Sequence, residues 1–174
     1  AGVDLAAGET RILPDVIEYL RLQGLPIPDD GTNQVGTLRV TLVGATSAAE
    51  LFAGGRTSTP GDGGSFGLFY SDAALTSSTA VVAGLQQIAA MRSNLAIVNG
   101  GPEPVTLRVK LEGPDGEDLG VLSDWSLPAW GWKQFDRPLE GKATSGRAVV
   151  TRISGASSFF AYGVLNDSGT SDGS

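Results

Sequence analysis

The chain has 174 residues, 41% of them hydrophobic and 18% charged, with 25 Gly, 9 Pro, and neither Cys nor His. Without imidazole or thiol it cannot build a Ser-His-Asp or Cys-His catalytic system, a His-containing zinc site, an iron-sulfur centre or a disulfide. Its 12 basic against 19 acidic residues give a formal charge of -7, which repels a phosphate backbone, and no apolar run approaches the roughly 20 residues that span a bilayer. Nucleic acid and a membrane span are therefore not expected, and the N-terminus lacks the basic-then-apolar pattern of a signal peptide.

The first strong local pattern runs from Pro14 to Gln23. Proline stands in the first turn, acids come early, Arg21 comes late and Gly24 supplies the C-terminal stop, which predicts a helix over 14–23. Leu13, Val16, Ile17 and Leu20 form its apolar stripe. The Pro- and Asp-containing stretch 25–34 reads as a loop.

Beyond it the period changes to two. Leu38, Val40 and Leu42 alternate with Arg39 and Thr41, the pattern of a strand with one buried face. Phe66 to Tyr70 is a short apolar strand after a Gly-rich turn. Residues 79–91 mix helix-favouring Ala, Leu and Gln with a strand-like setting, and extended structure is preferred there. Strands are expected at 91–99, 105–112, 119–122, 132–135, 146–153 and 158–165. The clearest is Val105 to Glu112, with four apolar residues alternating with four polar ones before the turn Gly113-Pro114-Asp115-Gly116.

The two halves also align in order. Leu5 to Leu13 matches Leu127 to Phe135 around Gly8 and Gly131, Gly36 to Thr41 matches Gly146 to Thr151, and Leu51 to Gly55 matches Phe159 to Gly163. Gly63-Gly64-Ser65 matches Asp172-Gly173-Ser174, and only the first of these is followed by a strand, Phe66 to Tyr70. The expectation is a partial copy at 1–73 and a second copy at 74–174 that lacks its closing strand.

Arg92-Ser93-Asn94-Leu95-Ala96-Ile97-Val98-Asn99, Pro104 to Val109, the Leu-Pro-x-x-Gly of 127–131 and Ala161 to Asp167 together resemble a β-sandwich repeat found in tandem in secreted and surface proteins of bacteria. The resemblance covers 80–174 well and 1–73 as a partial copy. It implies an all-β, Ig-like sandwich with one short helix, a bacterial extracellular or cell-surface location, and a structural, binding or spacer role without a reaction.

Candidate sites follow. An incomplete sandwich leaves backbone donors and acceptors open along an edge. Either the two partial copies merge into one domain, or a strand of another copy completes the sheet, and such a head-to-tail contact propagates into a filament unless the rotation closes a ring. Phe66, Leu68 and Tyr70 are the expected strand-complementation interface, and the favoured function is that of a non-catalytic structural protein that polymerises. The alternative is a carbohydrate-binding or spacer module whose ligand surface is Trp125, Trp130 and Trp132; core or corner packing of these rings is the competing reading. Asp124 with Glu112 or Asp118 would make a carboxylate pair for glycoside hydrolysis, but acids on turns carry no such meaning alone, and an enzyme is not expected. Asn166 to Asp172 offers oxygen ligands of the kind calcium takes. The same residue types serve tight turns, so no cofactor or metal is expected.

Overall fold

The computed structural model describes residues 1–32, 34–44, 51–61, 64–169 and 173. They divide into two units, Ala1–Gly36 and Thr37–Ser174.

In the first unit, α1 spans Val16–Leu22. It starts there because the Asp15 carboxylate accepts the Glu18 backbone N–H at 2.9 Å, satisfying a donor that the helix leaves open. It ends in a Schellman arrangement, in which Gly24 N donates to Arg21 O at 2.8 Å and Leu25 N donates to Leu20 O at 3.1 Å, with Gly24 at φ 83. The predicted stripe is only half-buried, and no helix residue is fully buried. Side chains tie the loops to this short helix. Tyr19 OH donates to Gly2 O at 2.8 Å, and Arg21 donates to Ile27 O at 3.2 Å and to Pro28 O while pairing with Asp29 at 3.3 Å.

The second unit is all-β. A hairpin of β1 (Gly55–Gly61) and β2 (Gly64–Tyr70) precedes seven strands: β3 (Thr79–Gln86), β4 (Met91–Asn99), β5 (Val105–Glu112), β6 (Asp118–Leu127), β7 (Trp132–Asp136), β8 (Ser145–Gly155) and β9 (Phe159–Asp167). These seven make two antiparallel layers in the orders β3-β8-β5-β6 and β7-β4-β9. Alternation explains the packing between them. Val105, Leu107, Val109 and Leu111 of β5, with Val150 of the neighbouring β8, turn inward to the core shared with Leu95 and Ile97 of β4 and Phe159 of β9. The protein is thus an all-β sandwich with one short helix.

Two expectations about elements change. Residues 37–43 form no strand, although their alternation is regular, because among the described residues no neighbouring strand pairs with them. Conversely, β1 is a strand although Gly-Arg-Thr-Ser-Thr-Pro-Gly has no apolar alternation; β2 supplies its pairing through the whole register from Gly55–Tyr70 to Gly61–Gly64.

Candidate assembly interface

The sandwich closes on one flank and is open on the other. On the closed flank β3 packs across the layers against β9 and β4, and Ser93 Oγ accepts the Gln86 backbone N–H at 2.8 Å. With β3 set against β9, β6 and β7 are the outer strands of their layers at the other flank. There the Trp125 ring of β6 stacks on Phe135 of β7, with centroids 6.1 Å apart and planes at 22°. Leu119 and Leu122, further along β6, pack against the core only in part. β7 pairs with β4 along one edge, and among the described residues no strand pairs with its other edge.

Lys133 marks this opening. Its register partner Ile97 is fully buried, so both point to the interior side of the sheet, yet Lys133 is exposed, with its ammonium 5.1 Å from the Trp125 ring centroid. A charge pointing inward from an edge strand discourages indiscriminate pairing, because any strand laid beside it must leave the ammonium hydrated.

The turn 128–131 that leads into β7 is held rigidly. Asn99, 0% exposed at the end of β4, donates through Nδ2 to Pro128 O at 2.8 Å and Glu103 O at 2.7 Å, and its Oδ1 accepts from Gly101 N at 3.0 Å. Its backbone N–H reaches Gly131 O at 2.8 Å. Trp130 sits in this turn at φ 58 and Arg137 follows β7 at φ 51, so left-handed non-glycine residues bracket the strand. Such a conformation costs about 1–2 kcal/mol, which the Asn99 bonds and the Trp130 N–H to Gly101 O bond at 3.1 Å offset.

Residues 37–43 reach the same corner. Thr37 Oγ1 donates to Trp130 O at 3.3 Å, and the Arg39 guanidinium carbon lies 4.4 Å from the Trp130 ring centroid, a cation–π contact. Between and past those anchors Leu38, Val40 and Leu42 remain 57%, 51% and 44% exposed, and no strand, helix or turn includes them.

The expected interface residues lie on β2. Phe66 pairs with Thr59, Leu68 with Thr57 and Tyr70 with Gly55, so β1 occupies one edge of the strand; the side chain of Phe66 lies outside the described residues. Leu68 is half-buried and Tyr70 is 37% exposed. The Tyr70 ring meets Tyr162 of β9 edge-on at 5.9 Å, Tyr162 stacks on Phe160 at 5.5 Å, and Trp132 Nε1 donates to Tyr162 OH at 3.2 Å. Partial burial, with the neighbouring Tyr162 hydroxyl adding to it, holds the Tyr70 phenol above its ordinary value, while the bond with Thr57 pulls it the other way. These rings cover the outward face of the three-stranded layer, and for that reason Ala96 is 1% exposed although its neighbours Leu95 and Ile97 carry the core face.

The three tryptophans lie in three settings. Trp125 is 2% exposed in the core, Trp130 is 38% exposed in the turn under Arg39, and Trp132 stands half-buried beside Tyr162. Phe160 and Tyr162 were not among the expected site residues. Their spacing at alternate positions of Phe159-Phe160-Ala161-Tyr162 was a readable signal of a shared outward face, but nothing in the sequence places Tyr70 or Trp132 beside them.

The acidic side chains engage local partners. Arg108 grips Asp124 with two bonds of 2.8 and 2.7 Å, Lys110 meets Asp118 at 3.1 Å, and Arg147 meets Glu112 at 2.6 Å. The Arg108 bonds lower the Asp124 carboxyl below its usual range, and the Gly120 N–H followed by Lys110 does the same to Asp118. Asp30 accepts from Thr32 N and Oγ1 in a local turn, and the Thr32 bonds lower it likewise. Asp167 accepts the Gly169 N–H at 2.8 Å, while residues 170–172 of the oxygen-rich run lie outside the described residues. Among the described residues, no three acidic side chains converge as a metal-binding group, and no helix is long and apolar enough to cross a membrane.

Comparison with family models, with curated proteins and with solved structures finds no match to this chain. The geometry at hand is therefore that of an edge, an anchored but unpaired β-competent segment, and an aromatic outward face.

Proposed function

We propose that this chain is a non-catalytic structural protein of a bacterial exterior that assembles head to tail by adding β-strands between copies. One observation carries this reading. Leu38, Val40 and Leu42 alternate as a strand would, but stand about half exposed and outside every sheet. Completing the burial of three such side chains is worth roughly 2–4 kcal/mol before association costs, and strand addition would also satisfy the backbone groups of the segment. The resemblance of 80–174 to tandem sandwich repeats supports an extracellular setting, and the absence of Cys is compatible with one.

Light scattering across a concentration series, with negative-stain images of the same samples, tests the reading. Mass that rises with concentration, together with filaments or rings, is the expected result. A single chain mass at every concentration overturns it.

A second reading has its own observation. Trp132, Tyr162 and Phe160 lie on one outward face, joined by the Trp132–Tyr162 bond and the Phe160–Tyr162 stack, and aromatic faces of this kind hold sugar rings. Polysaccharide binding lost on Tyr162→Ala, in a chain that remains monomeric, would favour a carbohydrate-binding module over assembly.

A further inference from the structure

We infer that the open edge of β7 accepts residues 37–43 of a second copy of this chain, which would become a fourth strand of the β7-β4-β9 layer. The inference rests on the proposed assembly and names its contact. β7 offers an edge that no described strand occupies, and Leu119 and Leu122 of β6, the outer strand of the facing layer, are only partly covered. The segment has the matching pattern. With Leu38, Val40 and Leu42 on the interior side next to Phe135, Arg39 and Thr41 fall on the outward side with Gln134 and Asp136. Charge fits as well, since 36–44 carries Arg39 and no acid, whereas the outward row of β7 ends in Asp136.

The occupant is a second copy because this chain's own segment is already tethered at the corner without entering. Thr37 and Arg39 are held on Trp130, yet the side chains beyond them face solvent. The tether on Trp130 leaves the segment of the same chain beside its own edge and not paired with it, so that edge stays open to the segment of another copy. Lys133 then acts as a filter. A donor must cover the Trp125–Phe135 stack and still leave the ammonium a path to water, which a short segment with three apolar positions does.

The chain has no cysteine, so Thr41→Cys and Gln134→Cys each introduce a sole thiol on an exposed residue. The test treats a mixture of the two single variants, each variant alone, and the chain carrying both with a short flexible bis-maleimide, and follows the same samples by light scattering. The expected result is a covalent dimer in the mixture, well above either variant alone, and a ladder from the double variant. Adding Val40→Lys to the donor should lower that yield roughly tenfold or more, because a second ammonium would be set against the apolar stack beside that of Lys133; circular dichroism confirms that the sandwich is retained. An internal link in the double variant without dimers in the mixture overturns the second copy as occupant. Polymers without any 41–134 link overturn this contact while leaving assembly standing, and a lone chain mass with no link removes both.

Discussion

β5 and residues 37–43 carry the same alternation of apolar and polar side chains, yet β5 is an interior strand of the larger layer and 37–43 belongs to no sheet. Leu107, Val109 and Leu111 are 0% exposed, whereas Leu38, Val40 and Leu42 are about half open. The difference lies in the neighbours. The turn 113–116 returns the chain at once to β6, where Gly113 N donates to Glu117 O at 2.9 Å, and β8 closes the other edge. Short loops bring partners together at little entropic cost. Among the described residues the strand that follows 37–43 is β1, and β1 is committed to β2. Alternation therefore prepares a face, and pairing depends on what lies within reach.

The sharpest way to break that comparison is the same substitution in both regions. Val109→Lys buries an ammonium at a 0% exposed position, and urea unfolding should register a loss of more than about 4 kcal/mol or outright failure to fold. Val40→Lys should change the stability of the single chain by no more than about 0.5 kcal/mol, while abolishing growth of mass with concentration. Equal destabilisation by the two would mean that 37–43 is structural in the isolated chain.

The next effect in size is at Asn99, whose amide ties β4 to the turn that presents Trp130. Asn99→Ala leaves the carbonyls of Glu103 and Pro128 and the Gly101 N–H without their buried partner, and should cost about 2–3 kcal/mol in urea midpoint terms. Protease cleavage near 128–131 should rise with it. A smaller change is expected for Lys133→Ala. Stability of the single chain should move by less than about 1 kcal/mol, and association should increase as the inward charge leaves the edge; unchanged or weaker association would remove its role as a filter.

The smallest effect concerns acid. Asp124 and Asp118 have folded values lowered by their partners, so their contribution is present above the unfolded value of about 3.9 and is lost as pH falls below it. Unfolding midpoints followed from pH 5 downwards should decline less steeply in Asp124→Asn than in the parent chain. Both carboxylates are exposed, so the change in slope is modest.

Much of the sandwich was legible residue by residue. Asp15, Arg21 and Gly24 announced the helix because caps and charges act within a turn of the chain, although the observed element, Val16–Leu22, is shorter at both ends than the expected 14–23. Val105 to Glu112 announced β5 because one buried face imposes period two. β1 was not legible, since its strand character comes from pairing with β2 and not from its own residues. Of the expected site residues, Leu68 and Tyr70 lie on a hairpin strand, and Tyr70 meets Tyr162; the tryptophans separate into core, turn and outward face. A cluster in sequence is not a cluster in space when β6 and β7 belong to different layers.

What the sequence determined by itself is local and compositional: an acidic chain without thiol or imidazole chemistry, one capped helix, and a run of alternating segments that must form a sandwich to bury their apolar faces. What only the tertiary structure decided is which edges meet. The order of strands, the packing of β3 against β9 and the meeting of Arg39 with Trp130 all join residues far apart in the chain. Such contacts arise from the joint packing of two layers, a property that no single segment carries.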